Sequence, residues 1–488
     1  EPLLTRRPPG TVRRPSMALN RNRSLRLAGT LAVGVVVWFT PPPDGVDIQA
    51  WHLLAIFIAT IVGIITSPFP MGVVAVFGLT ATSLTGTLTV EQSVSGFGER
   101  VMWLIVIAFF VSRGFIKTGL GARIAYLFMA AVGQTSLGLA YSLVAADLTL
   151  APAMPSNTAR AAGVIFPIVR SIARSYDSRP SDGTARRIGA FLIKTAYQGT
   201  VITSAMFVTA MAANPIIVRL AGDAGVQLTW TGWARAAVVP GLVSLIVMPW
   251  VLYTVYPPEI RKTPGARQIA RDKLRDMGAL KSSERTMLAT FVLLLFLWIF
   301  GARFGLDGTG TTAAFIGLSV LLLSGTLTWD DVLHEHGAWN TLVWMSTLVM
   351  MANYLNELGL VPWFAMTMGG MVEGIGWVPA LAVLGLVYFY SHYFFASNTA
   401  HVVAMYAAFL AVAIGAGAPP ALAALVLAFF SNLFAGLSHY GTGPAPVFFG
   451  SGYLEMGTWW KLGGLLSVVN ILIWTVVGGL WWRVIGLW

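Results

Sequence analysis

Two six-residue phrases carry the polar chemistry of this chain. They are Pro155-Ser156-Asn157-Thr158-Ala159-Arg160 and Ala396-Ser397-Asn398-Thr399-Ala400-His401, each set inside strongly apolar sequence. An unpaired hydroxyl or amide in hydrocarbon is costly, so a Ser-Asn-Thr cluster repeated there predicts that something polar is held. Ser156 and Ser397 each open an apolar helical run and read as N-caps, aiming the free N–H groups and positive dipole end of a half-helix at the cluster. Two such ends facing each other make an anion site. Asn157, Thr158, Asn398 and Thr399 add neutral donors that bind a carboxylate without a buried ion pair, while their oxygens also suit a cation. A basic residue, Arg160 or His401, follows each cluster at the same distance.

The rest of the chain must place these clusters in a membrane. Of its 488 residues 56% are hydrophobic and only 10% charged, beyond what a soluble enzyme of this length shows. Apolar runs long enough for helical crossings recur throughout, so the fold class is an all-α polytopic membrane protein rather than a barrel. The absence of cysteine removes disulfides and thiol-ligated metals, and 18 Trp with 13 Tyr suit interfacial belts. The net charge of +11 sits at segment ends and in loops, the pattern of cytoplasmic flanks, so no nucleic-acid partner is expected. His334-Glu335-His336 lacks the i, i+4 spacing of a zinc helix, and no cofactor or metal is expected. No nucleophile elbow, P-loop or kinase signature is present, which argues against an intramembrane enzyme and against direct ATP drive.

Residues 1–23 form an Arg- and Pro-rich tract that reads as a disordered basic cytoplasmic tail. With Met17 inside it, part of the tract also reads as a removable presequence or an extended translation start. About eleven crossings follow, near 24–41, 49–66, 71–87, 101–119, 185–212, 234–256, 286–304, 310–325, 338–357, 419–438 and 462–486. The segments near 135–174 and 376–414 each read as two half-length apolar pieces joined at the polar phrase, hence as re-entrant hairpins. Leu84-Thr85-Gly86-Thr87-Leu88-Thr89 returns 239 residues later as Leu323-Ser324-Gly325-Thr326-Leu327-Thr328, and the phrases themselves return at 241. The chain therefore divides into a first repeat over 42–256, a basic cytoplasmic linker over 257–285, and a second repeat over 286–488. Five crossings per repeat is an odd number, so the copies are inverted and the hairpins enter from opposite faces.

Eight basic residues between Arg261 and Arg285 and the Arg-rich start, against a basic-free 42–49 loop, put the N-terminus inside and the C-terminus outside. Asp330, Asp331 and Glu335 also fall inside, against the charge trend. Gly and Pro within Tyr197-Gln198-Gly199-Thr200 and Ser438-His439-Tyr440-Gly441-Thr442-Gly443-Pro444 suggest unwound backbone lining the site, with Thr200 and Thr442 as ligand residues.

These motifs, together with Ile116-Lys117-Thr118-Gly119-Leu120-Gly121, Ala151-Pro152-Ala153-Met154-Pro155-Ser156 and Asn432-Leu433-Phe434-Ala435-Gly436, resemble the divalent anion:sodium symporter superfamily of carboxylate transporters. The resemblance covers nearly the whole chain after about residue 25. The chain looks most like the exchanger branch, which includes plastid 2-oxoglutarate/malate translocators and bacterial citrate/succinate and tartrate/succinate antiporters. The resemblance implies dicarboxylate substrates and counter-substrates at the two Ser-Asn-Thr motifs, a homodimer in the bilayer, and elevator-type movement of one domain past another. It implies a bacterial inner (plasma) membrane, with a plastid inner envelope as the alternative. Some plastid members vary the middle of the motifs, whereas this chain keeps both intact, as sodium-coupled members do. Arg160 and His401 lie where a sodium-coupled relative places sodium, so the reading is an exchanger with tethered charge-compensating groups in place of the ion. The alternatives are a sodium-coupled di/tricarboxylate symporter and, more remotely, a passive anion channel.

Overall fold

The computed structural model describes residues 21–180, 182–306, 310–371 and 376–488. Of the basic tail, residues 1–20 lie outside the described residues.

Every expected crossing coincides with a helix, from Arg21–Phe39 and Ile48–Thr66 through His336–Glu357 to Met456–Leu472. Among the described residues eight helices are long and apolar enough to cross a bilayer. Met71–Leu84, Thr311–Leu323 and Pro420–Gly436 are apolar but shorter. No β-strand occurs among the described residues. Two apolar helices had no place in the sequence reading: Leu120–Val132 and Leu360–Met371, which follow Gly119 and Gly359. Both glycines adopt positive φ, +80° and +84°, ending one helix and starting the next without a Cβ clash. The basic linker also carries a helix, Pro264–Met277, packed against Leu120–Val132.

The repeated Leu-Thr/Ser-Gly-Thr-Leu-Thr phrase builds the same turn twice. Gly86 and Gly325 both sit at φ +67°, and Thr89 and Thr328 each cap a short helix with a reciprocal capping box. In the second copy the box residue Asp331 also accepts a 2.6 Å ion pair from Lys117. This pairing gives Asp331, one of the acidic residues of 330–335, a basic partner. Elsewhere Tyr453 donates to the Ser178 carbonyl, Arg219 pairs with Glu99 at 3.0 Å and Trp363 donates to the Asp44 carbonyl.

Each polar phrase joins two helical arms, and three of these arms are longer than the half-length pieces expected of the hairpins. Ser136–Ala153, Trp377–Phe394 and Asn398–Gly415 each run 18 residues, about 27 Å at 1.5 Å per residue. The first hairpin packs on Gly189–Met206 and Trp230–Val255, and the second on Pro420–Leu433 and Ala213–Asp223. Gly189–Met206 and Pro420–Leu433 also pack on each other, joining the hairpins into one body. The helices Ile48–Thr66, Met71–Leu84, Arg100–Thr118, Ser282–Phe300, Thr311–Leu323 and His336–Glu357 pack mainly among themselves as a second group.

Candidate functional site

The two tips are built by local chemistry that the sequence states. At the first, Pro152 and Pro155 stop the Ser136–Leu150 helix, and the chain restarts as a π-helical turn over Ala159–Ile165. Ser156 Oγ accepts from the Ala159 N–H at 3.1 Å, the capping role expected of it. At the second tip Ser397 is extended, with φ −151° and ψ 128°, and its Oγ accepts from the Ala400 N–H at 3.4 Å at the head of Asn398–Gly415. Both half-helices thus present N-terminal N–H groups at their tips.

Each tip reaches into the other repeat. Asn157 Nδ2 donates to Thr442 Oγ1 at 3.0 Å, and Thr158 lies so close to Gly443 that a Cβ there would come within 2.1 Å of its hydroxyl. Asn398 Nδ2 donates to the Ser431 carbonyl at 3.2 Å and to Met211 Sδ at 3.3 Å. Thr442 and Gly443 belong to the non-helical 437–444 segment, and Met211 belongs to its counterpart in the first repeat. Asn157, Thr158 and Ser397 are half-buried and Gly443 is exposed, whereas Ser156, Asn398, Thr399 and Thr442 are buried. Asn398 Oδ1, Asn432 Oδ1 and Ser438 Oγ are buried without a hydrogen-bond partner.

The break in the first repeat is not at 197–200. Those residues lie inside the continuous Gly189–Met206 helix, where Gly199 serves close packing: a Cβ there would sit 2.9 Å from Val144. The helix stops instead at 207–212, a stretch with neither Gly nor Pro. Thr200 is therefore not part of an unwound lining; it is buried and donates to Asp147 Oδ1 at 3.0 Å. Asn214 secures the break, its Nδ2 donating at 2.9 Å to the carbonyls of Ser204 and Phe207 while its Oδ1 accepts from Asn432 at 2.8 Å. Asn214 and Asn432 were missed. An Asn-Pro pair inside apolar sequence was the available signal for the first.

Arg160 is fully buried and every N–H of its guanidinium is engaged. Nε donates to Asp147 Oδ1 at 3.1 Å, Nη1 to the carbonyls of Met154 at 2.8 Å and Ala210 at 2.9 Å, and Nη2 to Thr203 Oγ1 at 3.4 Å and Ser204 Oγ at 3.0 Å. Thr203 also donates to Asp147 Oδ2. Arg160, expected as a charge-compensating group in place of sodium, has its own charge balanced by Asp147 and its donors used within the protein. Asp147 was missed, although a lone carboxylate in an apolar hairpin arm is a signal in itself.

His401 is buried in a ring box formed by Phe395, Phe434 and Tyr388, with centroids 4.4, 4.5 and 4.6 Å away. Its Nδ1 lies 3.1 Å from Nδ1 of His392, a second buried histidine that the sequence reading passed over. Among the described residues no group of three or more His, Asp or Glu side chains could hold a metal ion.

Residues 21–488 match the family model described as the sodium:sulfate symporter transmembrane region. The chain is 60% identical over 460 residues to the putative malate transporter YflS of Bacillus subtilis, covering 94% of this chain and 96% of that protein. It is 52% identical over 465 residues to the chloroplastic dicarboxylate transporter 1 of Arabidopsis thaliana, covering 95% of this chain and 83% of the relative. In fold it is similar to the crystal structure of the YdaH transporter of Alcanivorax borkumensis, with a TM-score of 0.54 at 15% identity over 95% of this chain and 97% of that one.

Proposed function

The chain belongs to the divalent anion:sodium symporter family, and from that premise we propose that it is a secondary transporter exchanging dicarboxylates of the 2-oxoglutarate, malate and succinate class across a bacterial plasma membrane. The observation that carries this reading is the reciprocal seating of the tips, Asn157 on Thr442 and Asn398 beside Met211. Each Ser-Asn-Thr motif then meets a helix break of the other repeat, where hydroxyls, amides and the N-terminal helix ends gather. Each helix end supplies about half a unit of charge, so a dianion matches the pair while a neutral solute wastes it. Unpartnered buried amide and hydroxyl oxygens at Asn398, Asn432 and Ser438 supply further polarity that a bound solute or its water would satisfy. The names of the relatives, a putative malate transporter and a dicarboxylate transporter, agree with this choice of substrate.

Exchange rather than sodium symport is supported by Arg160. Two carbonyls, two hydroxyls and a carboxylate converge on its guanidinium, an oxygen set of the kind an alkali ion takes, and here a tethered cation fills it permanently. The ion cannot enter or leave with substrate. The hairpins and broken helices move as one body against the second helix group, which forms the scaffold of a homodimer. A mostly apolar cavity of about 560 Å³, lined by Trp51, Phe57, Leu220 and Val403, lies at the boundary between the groups. The N-terminus is cytoplasmic.

The second reading, a sodium-coupled symporter, is favoured by the unpartnered Asn398 and Asn432 oxygens and the two intact motifs. Counterflow in proteoliposomes separates the two. Exchange requires a dicarboxylate inside the vesicle and is indifferent to replacing sodium with potassium. Concentrative uptake into empty vesicles that stops without sodium would transfer the protein to the symporter reading, and flux that neither saturates nor trans-stimulates would make it a channel.

A further inference from the structure

Resting on that exchange reading, we propose a second anion site at the far end of the first hairpin's second arm, where Arg170 and Arg174 receive a dicarboxylate from the cytoplasm before it reaches the Ser-Asn-Thr tips. The two arginines stand one turn apart on the Phe166–Ser175 helix, and with Phe166, Pro167 and Ser171 they line a surface pocket of about 350 Å³. Residues four apart on a helix have Cβ atoms about 5–6 Å from each other. Each guanidinium presents a planar fork that takes one carboxylate, so the pair matches a solute with two carboxylates a few bonds apart. Ser171 adds a hydroxyl to the same pocket.

The positive charge of this pocket is uncommitted. Arg170 lies over the Phe166 ring at 5.6 Å, which orients its guanidinium without neutralising it. Among the described residues no ion pair engages Arg170 or Arg174. The acidic residues of the loop that follows have other partners: Asp177 pairs with Arg179 at 3.8 Å, and Asp182 accepts from Thr184. Arg174, in the last turn, also suits the negative end of its helix dipole. Arg170 stands a turn further in, where that end effect has faded, and the dipole does not account for it.

The exposed side of the arm joins this pocket to the tip. Gly163, Pro167, Arg170 and Arg174 are exposed and follow one another at helical spacing, whereas Ile165, Ile168 and Ile172 between them are buried. That side starts just past Asn157 and Thr158, both half-buried at the tip. The arm is held to the segment that carries Thr442 at two points, by Thr158 against Gly443 and by Phe166 on Phe448 with ring centroids 5.1 Å apart. The stretch from Ser156 to Arg170 is about 20 Å long at a helical rise of about 1.5 Å per residue. The arginines therefore do not touch a solute seated at the tips. They raise its local concentration at the start of its path, which is an effect on capture rather than on translocation.

The test is the KM for 2-oxoglutarate on each face of the membrane, measured with inside-out and right-side-out vesicles loaded with a dicarboxylate. For the double variant Arg170→Gln with Arg174→Gln, KM on the cytoplasmic face is expected to rise at least about fivefold at an unchanged maximal rate, while KM on the other face stays as in the wild type. Salt gives an independent readout: raising ionic strength from about 20 to about 200 mM raises the wild-type cytoplasmic KM and leaves that of the variant nearly flat. Arg170→Lys with Arg174→Lys keeps the charge and so the salt dependence, and the loss of the forks gives an intermediate KM. A merely structural role would lower the maximal rate and change both faces together. An unchanged cytoplasmic KM in the Gln variant, an equal rise on both faces, or a wild-type salt response in that variant overturns the site. If the double variant does not assemble, Arg170→Gln alone decides, a smaller one-sided rise being expected and its absence overturning the site. Wild type that exchanges no dicarboxylate removes the transport reading and this inference with it, whereas exchange indifferent on both faces to Arg170 and Arg174 removes the inference alone.

Discussion

Arg160 and Asp147 face each other across the two arms of the first hairpin, Nε 3.1 Å from Oδ1, with side-chain exposures of 0% and 2%. The pair ties the arms to the neighbouring helix through Thr200, Thr203 and Ser204, and to the 207–212 break through the Ala210 carbonyl. It is neutral overall, so it orders the tip without presenting net charge to the cavity. Removing one member strands the other in a low-dielectric interior. Arg160→Ala and Asp147→Ala are each expected to destabilise the folded protein by about 3–5 kcal/mol. Because both lose the same interaction, the double variant should cost clearly less than the two single costs together. Thermal unfolding of the purified protein in detergent checks this, and strict additivity would show that the pair is not a unit.

Asn157 is a different kind of residue, half-buried and bonded across repeats to Thr442 at 3.0 Å. Asn157→Ala is expected to reduce dicarboxylate exchange at least about tenfold, while the loss of one exposed-edge hydrogen bond costs stability only about 1 kcal/mol. Thr442→Val keeps shape but removes the acceptor, and a milder defect is expected. Normal exchange by Asn157→Ala at normal membrane abundance would remove the first tip from substrate binding.

The parts of this architecture that were legible in the sequence are those decided by neighbours in the chain. Ser156 and Ser397 cap because a hydroxyl three residues before a free N–H has few other options, and the Thr89 and Thr328 boxes follow from the same geometry. The break at 207–212 was not legible, because no residue within it resists helix formation. It is held from outside, by Arg160 on the Ala210 carbonyl, Asn214 on Ser204 and Phe207, and Thr209 on the Pro152 carbonyl at 2.5 Å. Gly199 misled for the complementary reason: glycine in a membrane helix marks close packing as readily as unwinding. Asp147 and His392 each needed a partner, thirteen and nine residues away on the opposite arm, and such pairings depend on a hairpin geometry that local spacing does not state.

Asp331, on the short Trp329–Leu333 helix between spanning segments, gives a pH prediction through its pair with Lys117. Partial burial of the Asp331 carboxyl works against ionisation. The Lys117 ammonium and the Thr328 N–H and hydroxyl outweigh it, holding the pKa at about 2 against an ordinary 3.8. A depressed carboxylate stabilises the fold above its unfolded pKa, and that contribution is lost as pH falls from about 4 toward 2. Lys117 is 36% exposed, so solvent screening limits the pair to about 0.5–1 kcal/mol. Lys117→Gln should therefore lower the melting temperature slightly at neutral pH, and the difference from wild type should shrink toward pH 3. A gap that widens in acid would contradict the sign.

Alternating access predicts that the two tips trade exposure. In the inverted-repeat arrangement proposed above the tips lie on opposite approaches to one site, so a movement that opens the first tip to the cytoplasm closes the second to the outside. The chain contains no cysteine, so a single introduced thiol reports without background. Ala159 and Ala396 are suited to carry it, since one is half-buried and the other exposed at its tip and neither supplies a hydroxyl or amide to the motif. With a membrane-impermeant reagent, Ala159→Cys is expected to label from the cytoplasmic side and Ala396→Cys from the opposite side. Saturating dicarboxylate on both sides should change both rates, because a loaded carrier cycles between states that an empty one leaves slowly. Labelling of both positions from the same side, with and without substrate, would contradict the inverted arrangement and the single moving body built on it.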